Sequence, residues 1–359
     1  MAHQLPPAAG AEKKFSLNAP GLLLWSDLPQ SRNLIELVEL AEAIGYSELW
    51  YTDVRFVYDC YMGLTLAAKH SRRMLIGPGV SDPYSRHPAL IAMAMATLDE
   101  LSGGRVQIGL GTGAGGLAQM GINQEKPVRA LREAIELIRA MLTGERVNYV
   151  GSLFQLQNAG LGFEPVRATV PIFIATHSPQ VLRLSGRLAD GVLLGNMGRR
   201  EAIVNAIRIL REAEASAGRP PGTVSVHLRL ETCISDDGEA ALDAVRRRFA
   251  VRLINSYPRW RYLDELGIEP TAELKAAAET KDHAAVAAQL SADDVRASTL
   301  AGSVQEVAQH LVSILTPEVD RVTIRPLAAG GEHLSQTVTR FVKDVWPRVT
   351  AAVRAGAAT

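Results

Sequence analysis

Two hydrophobic rhythms alternate along this chain. Short apolar runs bounded by glycine, proline or aspartate follow a strand pattern. Between them lie longer stretches whose apolar residues return every three or four positions, a helix pattern. The first strand is expected within Leu17–Trp25. Ser31 then caps a helix carrying Leu34, Leu37, Val38, Ala41 and Ile44 and stopped by Gly45. Ser47–Asp53 is the second strand, a helix follows around Tyr58–His70, and Met74–Asp82 is the third strand. The helix Pro88–Leu101 breaks at Gly103-Gly104 and leads into Arg105–Gly113, the fourth strand. A helix over Pro127–Thr143 precedes a fifth strand, Pro171–Thr176. Ser178-Pro179 opens the next helix, since serine caps and proline suits a first turn. Asp190–Asn196, Val224–Ile234 and Arg321–Leu327 are strands six to eight, with a helix at about Arg199–Gly218. Residues 235–320 form a mostly helical insertion, and Ser303-Val304-Gln305-Glu306 is a capping box within it. Strands alternating with helices imply a parallel sheet. Eight of them predict a (β/α)8 TIM barrel over residues 15–359, with a doubly wound open sheet as the competing architecture. Residues 1–14 read as a disordered tail.

Composition narrows the function. The chain has 359 residues, 47% of them hydrophobic, enough for a large core. Its 38 Lys and Arg balance 38 Asp and Glu, so nothing suggests a nucleic-acid partner or a membrane surface. Cys60 and Cys233 are the only cysteines, with no CxxC pair or Cys/His cluster, so no metal site is expected. A reducing cytoplasm fits this usage. The first 14 residues lack a signal-peptide core, and no run approaches the ~20 apolar residues of a membrane helix.

In such a barrel the chemistry sits at the carboxyl ends of the strands. Gly109–Gly116 is glycine-dense, which permits close backbone approach to a flat ligand or phosphate at Gly111, Thr112 and Gly113, or else simply a tight turn. Its Gly111-x-Gly113-x-x-Gly116 pattern lacks a convincing acidic partner, so a Rossmann site is not expected. Thr176, His177 and Ser178 stand at a helix amino terminus, where free N–H groups favour an anion, and Gly195-Asn196 lies one strand later. On strand seven His227, Arg229 and Glu231 alternate with Val226, Leu228 and Leu230, so the polar set is expected inside the barrel. Arg229 and Glu231 are read as an internal ion pair or as part of the catalytic machinery, with Glu231 the better catalytic candidate. Asp53, ending strand two, is the other, with helix capping as its plain reading. His87 is expected to fasten a loop, while Tyr84 beside it is a candidate substrate contact. Arg325 is a candidate anion clamp or a salt-bridge partner of Glu231 or Asp53. Tyr257, Trp260 and Tyr262 are candidate stacking residues, insertion core or a subunit contact.

Several segments carry a family likeness: SELWYTD, GPGVSDPYSRHPALIAMAMATLDELSGGRVQIGLGTG, KPVRALREAIELIRAMLTGE and LRLSGRLADGVLLGN. In this order the chain resembles the luciferase-like flavin- and deazaflavin-dependent oxidoreductases, and most of all the methylenetetrahydromethanopterin reductases. The resemblance implies a TIM barrel, often a homodimer. It implies a cofactor ring, coenzyme F420 or FMN, near Gly79, Val80 and Ser81, where the family often has a non-proline cis peptide. It also implies phosphate contacts at Thr176, His177, Ser178, Gly195 and Asn196. The reductases' carboxylates on strand one and after the fourth-strand glycines are replaced here by Leu24, Trp25 and Ala114, so the substrate site is rewritten. The leading expectation is F420-dependent hydride transfer to a small organic substrate, with Asp53 or Glu231 as proton donor. The alternatives are an FMN-dependent monooxygenase using molecular oxygen and a non-catalytic ligand-binding barrel.

Overall fold

The computed structural model describes residues 17–27, 31–113 and 116–356. The expected tail at 1–14, Ala114, Gly115 and the capping side chain of Ser31 lie outside that description. In chain order the strands are β1 Gly21–Leu24, β2 Glu48–Tyr51, β3 Leu75–Pro78, β4 Ile108–Leu110, β5 Val147–Val150, β6 Gln155–Ala159, β7 Ile172–Ala175, β8 Gly191–Gly195, β9 Ser225–Ile234, β10 Thr299–Gly302 and β11 Arg321–Pro326. Eight of them run parallel in the order β3-β2-β1-β11-β9-β8-β7-β4. Bridges Ile76–Val106 and Ser81–Leu110 join the two ends. The sheet therefore closes into the expected barrel, and the open doubly wound sheet is ruled out.

The layer around it follows the predicted helices: α1 Ser31–Ile44, α2 Cys60–His70, α3 Pro88–Ser102, α4 Pro127–Leu142, α5 Pro179–Leu188 and α6 Arg200–Ser216. Local chemistry sets their ends. His87 caps α3 by accepting from the Ala89 N–H at 3.2 Å, so it fastens its loop as expected. Gly103, at φ +69°, ends α3 in the left-handed conformation that glycine adopts without penalty. The insertion holds α7 Gly238–Ser256, α8 Arg261–Glu265, α9 Ala272–Glu279, α10 His283–Ala288, α11 Ala292–Arg296 and α12 Val304–Ile314. The predicted capping box at Ser303 and Glu306 opens α12. α13 Leu334–Arg340 and α14 Trp346–Arg354 end the described chain. No helix among the described residues is long and apolar enough to cross a membrane.

Three strands and the two closing helices, α13 and α14, were not anticipated. β5 and β6 form an antiparallel hairpin outside the barrel. β10 pairs in parallel with the last residues of β9, Glu231–Ile234. The insertion also has its own apolar core, built around Phe249, Leu253, Trp260, Leu263, Val286 and Val295.

Strand alternation sorts the side chains. Leu22, Leu24, Leu49, Ile76, Leu194, Leu228 and Ile324 join the main core against the helices. Leu23, Trp50, Phe173 and Leu193 form a small apolar layer of their own inside the ring. Below it lies Glu48, fully buried. Its carboxylate accepts from Trp50 Nε1 (2.8 Å), Gln107 Nε2 (3.1 Å), Arg321 (2.6 Å) and Thr323 Oγ1 (2.7 Å). Burial alone raises its pKa, but the charges of His227 and Arg321 outweigh that and hold it well below the ordinary range.

Candidate active site

The strand ends form a mouth with three chemical sectors. The first is a cradle built by β3, β4, β7 and β8. The Gly79–Val80 peptide is cis, as the resemblance implied. Val80 and Ala175 both pack on the inner apolar layer, so β3 and β7 approach one another above it. A Cβ on Gly109 would lie 2.1 Å from Pro78 O, and one on Gly111 would lie 2.6 Å from Val80 Cγ2. These glycines thus make room for Val80 itself. Gly113, at φ +82°, turns the loop against Asp82 and Leu117, and Gln124 Nε2 donates to the carbonyls of Thr112 and Gly113. The glycine segment shapes the cradle by packing within the protein.

Across the cradle, Ser178 is the exposed first residue before α5, and its hydroxyl makes no capping bond. Its N–H donates to Thr176 Oγ1 at 2.9 Å. β8 pairs with β9 so that Gly195 sits beside Arg229, and the Asn196 N–H donates to Arg229 O at 2.7 Å. A Cβ on Gly195 would meet Arg229 Nη2 at 3.3 Å and His177 Nε2 at 3.8 Å. Arg229 Nη1 lies 3.5 Å from Gly79 O. One guanidinium therefore spans both edges of the cradle. Among the described residues no carboxylate forms an ion pair with it. Burial, and the charge of Arg252, bring its pKa down to about 10 despite Glu231 nearby. His177 falls to about 4 through burial and the charges of Arg252 and Arg229, so it is neutral at pH 7.

The second sector is the β2–β3 rim. Ser81, fully buried, donates to Asp53 Oδ2 at 2.7 Å and shares a 2.9 Å hydrogen bond with the Tyr61 hydroxyl. Arg86 Nε lies 3.4 Å from the same Asp53 oxygen, and its guanidinium stacks 4.2 Å from the Tyr61 ring centre. Burial raises the Tyr61 pKa, so that hydroxyl keeps its proton. Asp53 is not a helix cap; Asp59 caps α2 instead. The Tyr84 hydroxyl, expected to meet substrate, donates to Glu125 O at 2.7 Å and ties down the loop before α4.

The third sector lies between β1, β9, β11 and α7. The β11–β9 register sets Arg325 beside Glu231. Arg325 bonds the Glu231 carboxylate directly. Arg252 Nη1 reaches it at 2.8 Å and Arg248 Nε at 3.4 Å. Burial raises the Glu231 pKa, but Arg252, Arg325 and Arg248 outweigh it and hold it at about 2. Glu231 thus stands among three guanidinium groups as their shared counter-ion, surroundings that favour its ionised form. The expected Arg229–Glu231 pair is replaced by these three arginines. Trp25 carries Arg325 at 4.0 Å and Arg248 at 4.6 Å from its ring centre. Leu24 turns outward into the helix core. In the insertion Trp260 is buried core, whereas Tyr262 faces His177 with ring centres 6.0 Å apart.

Sequence reasoning missed Glu48, Tyr61, Arg248 and Arg252. It named Trp25 only as a departure from the reductase pattern.

Known proteins share the fold and much of the sequence. The luciferase-like monooxygenase family model matches residues 14–319. The 5,10-methylenetetrahydromethanopterin reductase of Archaeoglobus fulgidus is 29% identical over 320 residues, 87% of this chain and 94% of that one. The F420-dependent glucose-6-phosphate dehydrogenase of Beutenbergia cavernae is 29% identical over 259 residues, 68% of this chain and 74% of that one. The solved structure of the coenzyme F420-dependent tetrahydromethanopterin reductase of Methanopyrus kandleri superposes with a TM-score of 0.83 at 24% identity. That match covers 93% of this chain and all of that one. With a closed barrel and a family match over most of its length, the chain belongs to the luciferase-like monooxygenase family of oxidoreductases.

Proposed function

We propose that this chain is a coenzyme F420-dependent oxidoreductase acting on a small organic substrate. The observation that carries the reading is Arg229, a guanidinium with no carboxylate ion pair among the described residues, placed between Gly79 O and Gly195. A phosphorylated ring cofactor supplies what that residue lacks, and the relatives' coenzyme favours a deazaflavin over FMN. When bound, the deazaflavin carries a hydride and gives it to an electron-poor C=N, C=C or C=O group. The protein's contribution is to hold and orient. Val80, flanked by Gly79, Gly109 and Gly111, offers an apolar surface to the ring, with Thr112 and Gly113 in the loop beyond. Thr176, His177, Ser178, Gly195 and Asn196 receive the phosphate, with Arg229 as its counter-charge. On the opposite rim Ser81 joins Asp53 to Tyr61, and this chain of hydrogen bonds moves a proton at Ser81 Oγ. Asp53 is the proton-handling carboxylate, and Glu231 holds the arginines in place. Titration of the purified protein with coenzyme F420 and with FMN tests the reading. Tight binding of F420, weaker for FMN, is expected; no binding of either at micromolar concentration refutes it.

The partner beyond the substrate is a second copy of this chain. On α3, Leu90, Met93 and Leu101 repeat at helical spacing and stay 54%, 45% and 43% exposed, while Met62 on the adjoining α2 is 71% exposed. An apolar stripe of this kind on neighbouring helices suits a self-complementary two-fold contact. The buried free thiols of Cys60 and Cys233 are consistent with residence in the cytoplasm.

A further inference from the structure

In the third sector of the mouth, cations outnumber anions. Arg248, Arg252 and Arg325 all converge on Glu231, and Arg229 one layer below has no carboxylate ion pair among the described residues. Among the described residues the next acid near Arg325 is the exposed Asp27 at the rim. Arg252 has further partners in Ser298 (2.9 Å) and Tyr262. Arg325 and Arg248 have instead the face of Trp25, which attracts a cation but does not neutralise it. Arg325 is 8% exposed, and its Nε atom is buried with no hydrogen-bond partner. A buried charge without a counter-charge is costly, and a structural ion-pair core would match its charges. A mouth left with surplus guanidinium groups is complementary to an incoming anion. The fork of a guanidinium matches a carboxylate better than a neutral hydroxyl or carbonyl.

We propose that the corner formed by Trp25, Arg248 and Arg325 receives the carboxylate of the substrate, so that the enzyme acts on an organic acid. The proposal rests on the oxidoreductase reading for calling that acid a substrate, but its binding test does not need the coenzyme. The acid group docks beside Trp25, and the rest of the molecule extends over the cradle. The proposal commits to a free acid and not to an acidic tail of the coenzyme.

The probes are 2-naphthoate and its neutral counterpart 2-naphthamide, followed by tryptophan fluorescence of the coenzyme-free protein. Naphthoate is expected to bind at least tenfold more tightly. Arg325→Gln and Arg248→Gln should each weaken naphthoate about tenfold and change naphthamide less than twofold. Arg248 is the safer variant, since its one ion pair here is the 3.4 Å contact to Glu231 and the side chain is 25% exposed. Trp25→Phe should remove the fluorescence response and identify the reporter. Naphthoate should also bind protein saturated with coenzyme F420 with an affinity within threefold. Equal affinity for the two probes overturns the proposal, as does naphthoate binding that neither arginine variant alters. So do failure of naphthoate to bind at 5 mM and its one-for-one displacement by F420. Failure of F420 to bind while naphthoate selectivity persists would refute the coenzyme reading alone.

Discussion

Replacing Glu231 by glutamine keeps the shape of the side chain and removes its charge. Arg325, Arg252 and Arg248 then lose their shared counter-ion inside the rim. In the folded protein the carboxylate's pKa falls from 4.5 to about 2, and the residue is 4% exposed, so solvent screening is slight. A shift of that size corresponds to about 3 kcal/mol of stability at neutral pH. The folded value lies below the unfolded one, so this contribution is complete above about pH 5 and drains away as pH falls towards 2. Wild type should therefore exceed Glu231→Gln by about 3 kcal/mol at pH 7 and by about half that at pH 3. For a chain of this length the neutral-pH difference corresponds to about 4 °C in Tm. Urea unfolding of both proteins at pH 7, 5 and 3 provides the comparison, and other titrating groups cancel in the difference. A gap below about 1 kcal/mol at pH 7, or one that stays constant to pH 3, would show that Glu231 is not the rim's counter-ion.

Four further outcomes follow from residues named above. Arg229→Gln should weaken FMN about tenfold while leaving riboflavin within twofold, because the missing charge faces the phosphate alone; equal losses for both ligands would place Arg229 elsewhere. Gly111→Ala should impair cofactor binding because the new Cβ meets Val80 Cγ2 at 2.6 Å, and the added substitution Val80→Ala should relieve it. At Gly109 the obstacle is the carbonyl of Pro78, at 2.1 Å, so Gly109→Ala should lower Tm with or without Val80→Ala; differential scanning fluorimetry separates the two cases. Leu90→Glu with Met93→Glu should convert a dimer to a monomer by light scattering without lowering Tm by more than a few degrees; an unchanged mass would move the contact to another face.

The barrel was legible because its strands are buried on both sides and its helices carry clean three-and-four spacing. Phe173 faces the inner layer while Ile172 and Ile174 face the helices, and all three are apolar. The β5–β6 hairpin escaped notice because Val147–Val150 alternates half-buried with exposed positions and QLQNA offers a single large apolar residue. β10 is four small or medium residues, Thr299–Gly302, and borrows its order from β9. At the mouth, the cradle glycines and the residues before α5 were legible as loop and helix-start features from their types alone. Arg248 and Arg252 were not: within RRRFAVR they look like a solvated helix face. Only the fold brings these residues, one turn apart on α7, onto Glu231. Glu48 did leave a trace, since in SELWYTD it falls in phase with Trp50, on the face that turns inward.

β9 is ten residues long where its barrel neighbours have five and six, and the extra length passes beyond the ring to pair with β10. Its middle therefore faces the cradle through Arg229, while its far end anchors the insertion. This gives the molecule a division of labour along a single strand. Under the proposed assignment, exchange of α7 between relatives would retune which substrates are accepted, and through the charge of Arg252 it would also reach Arg229 and His177. The insertion, tied to the barrel by backbone pairing, would keep its place through such an exchange.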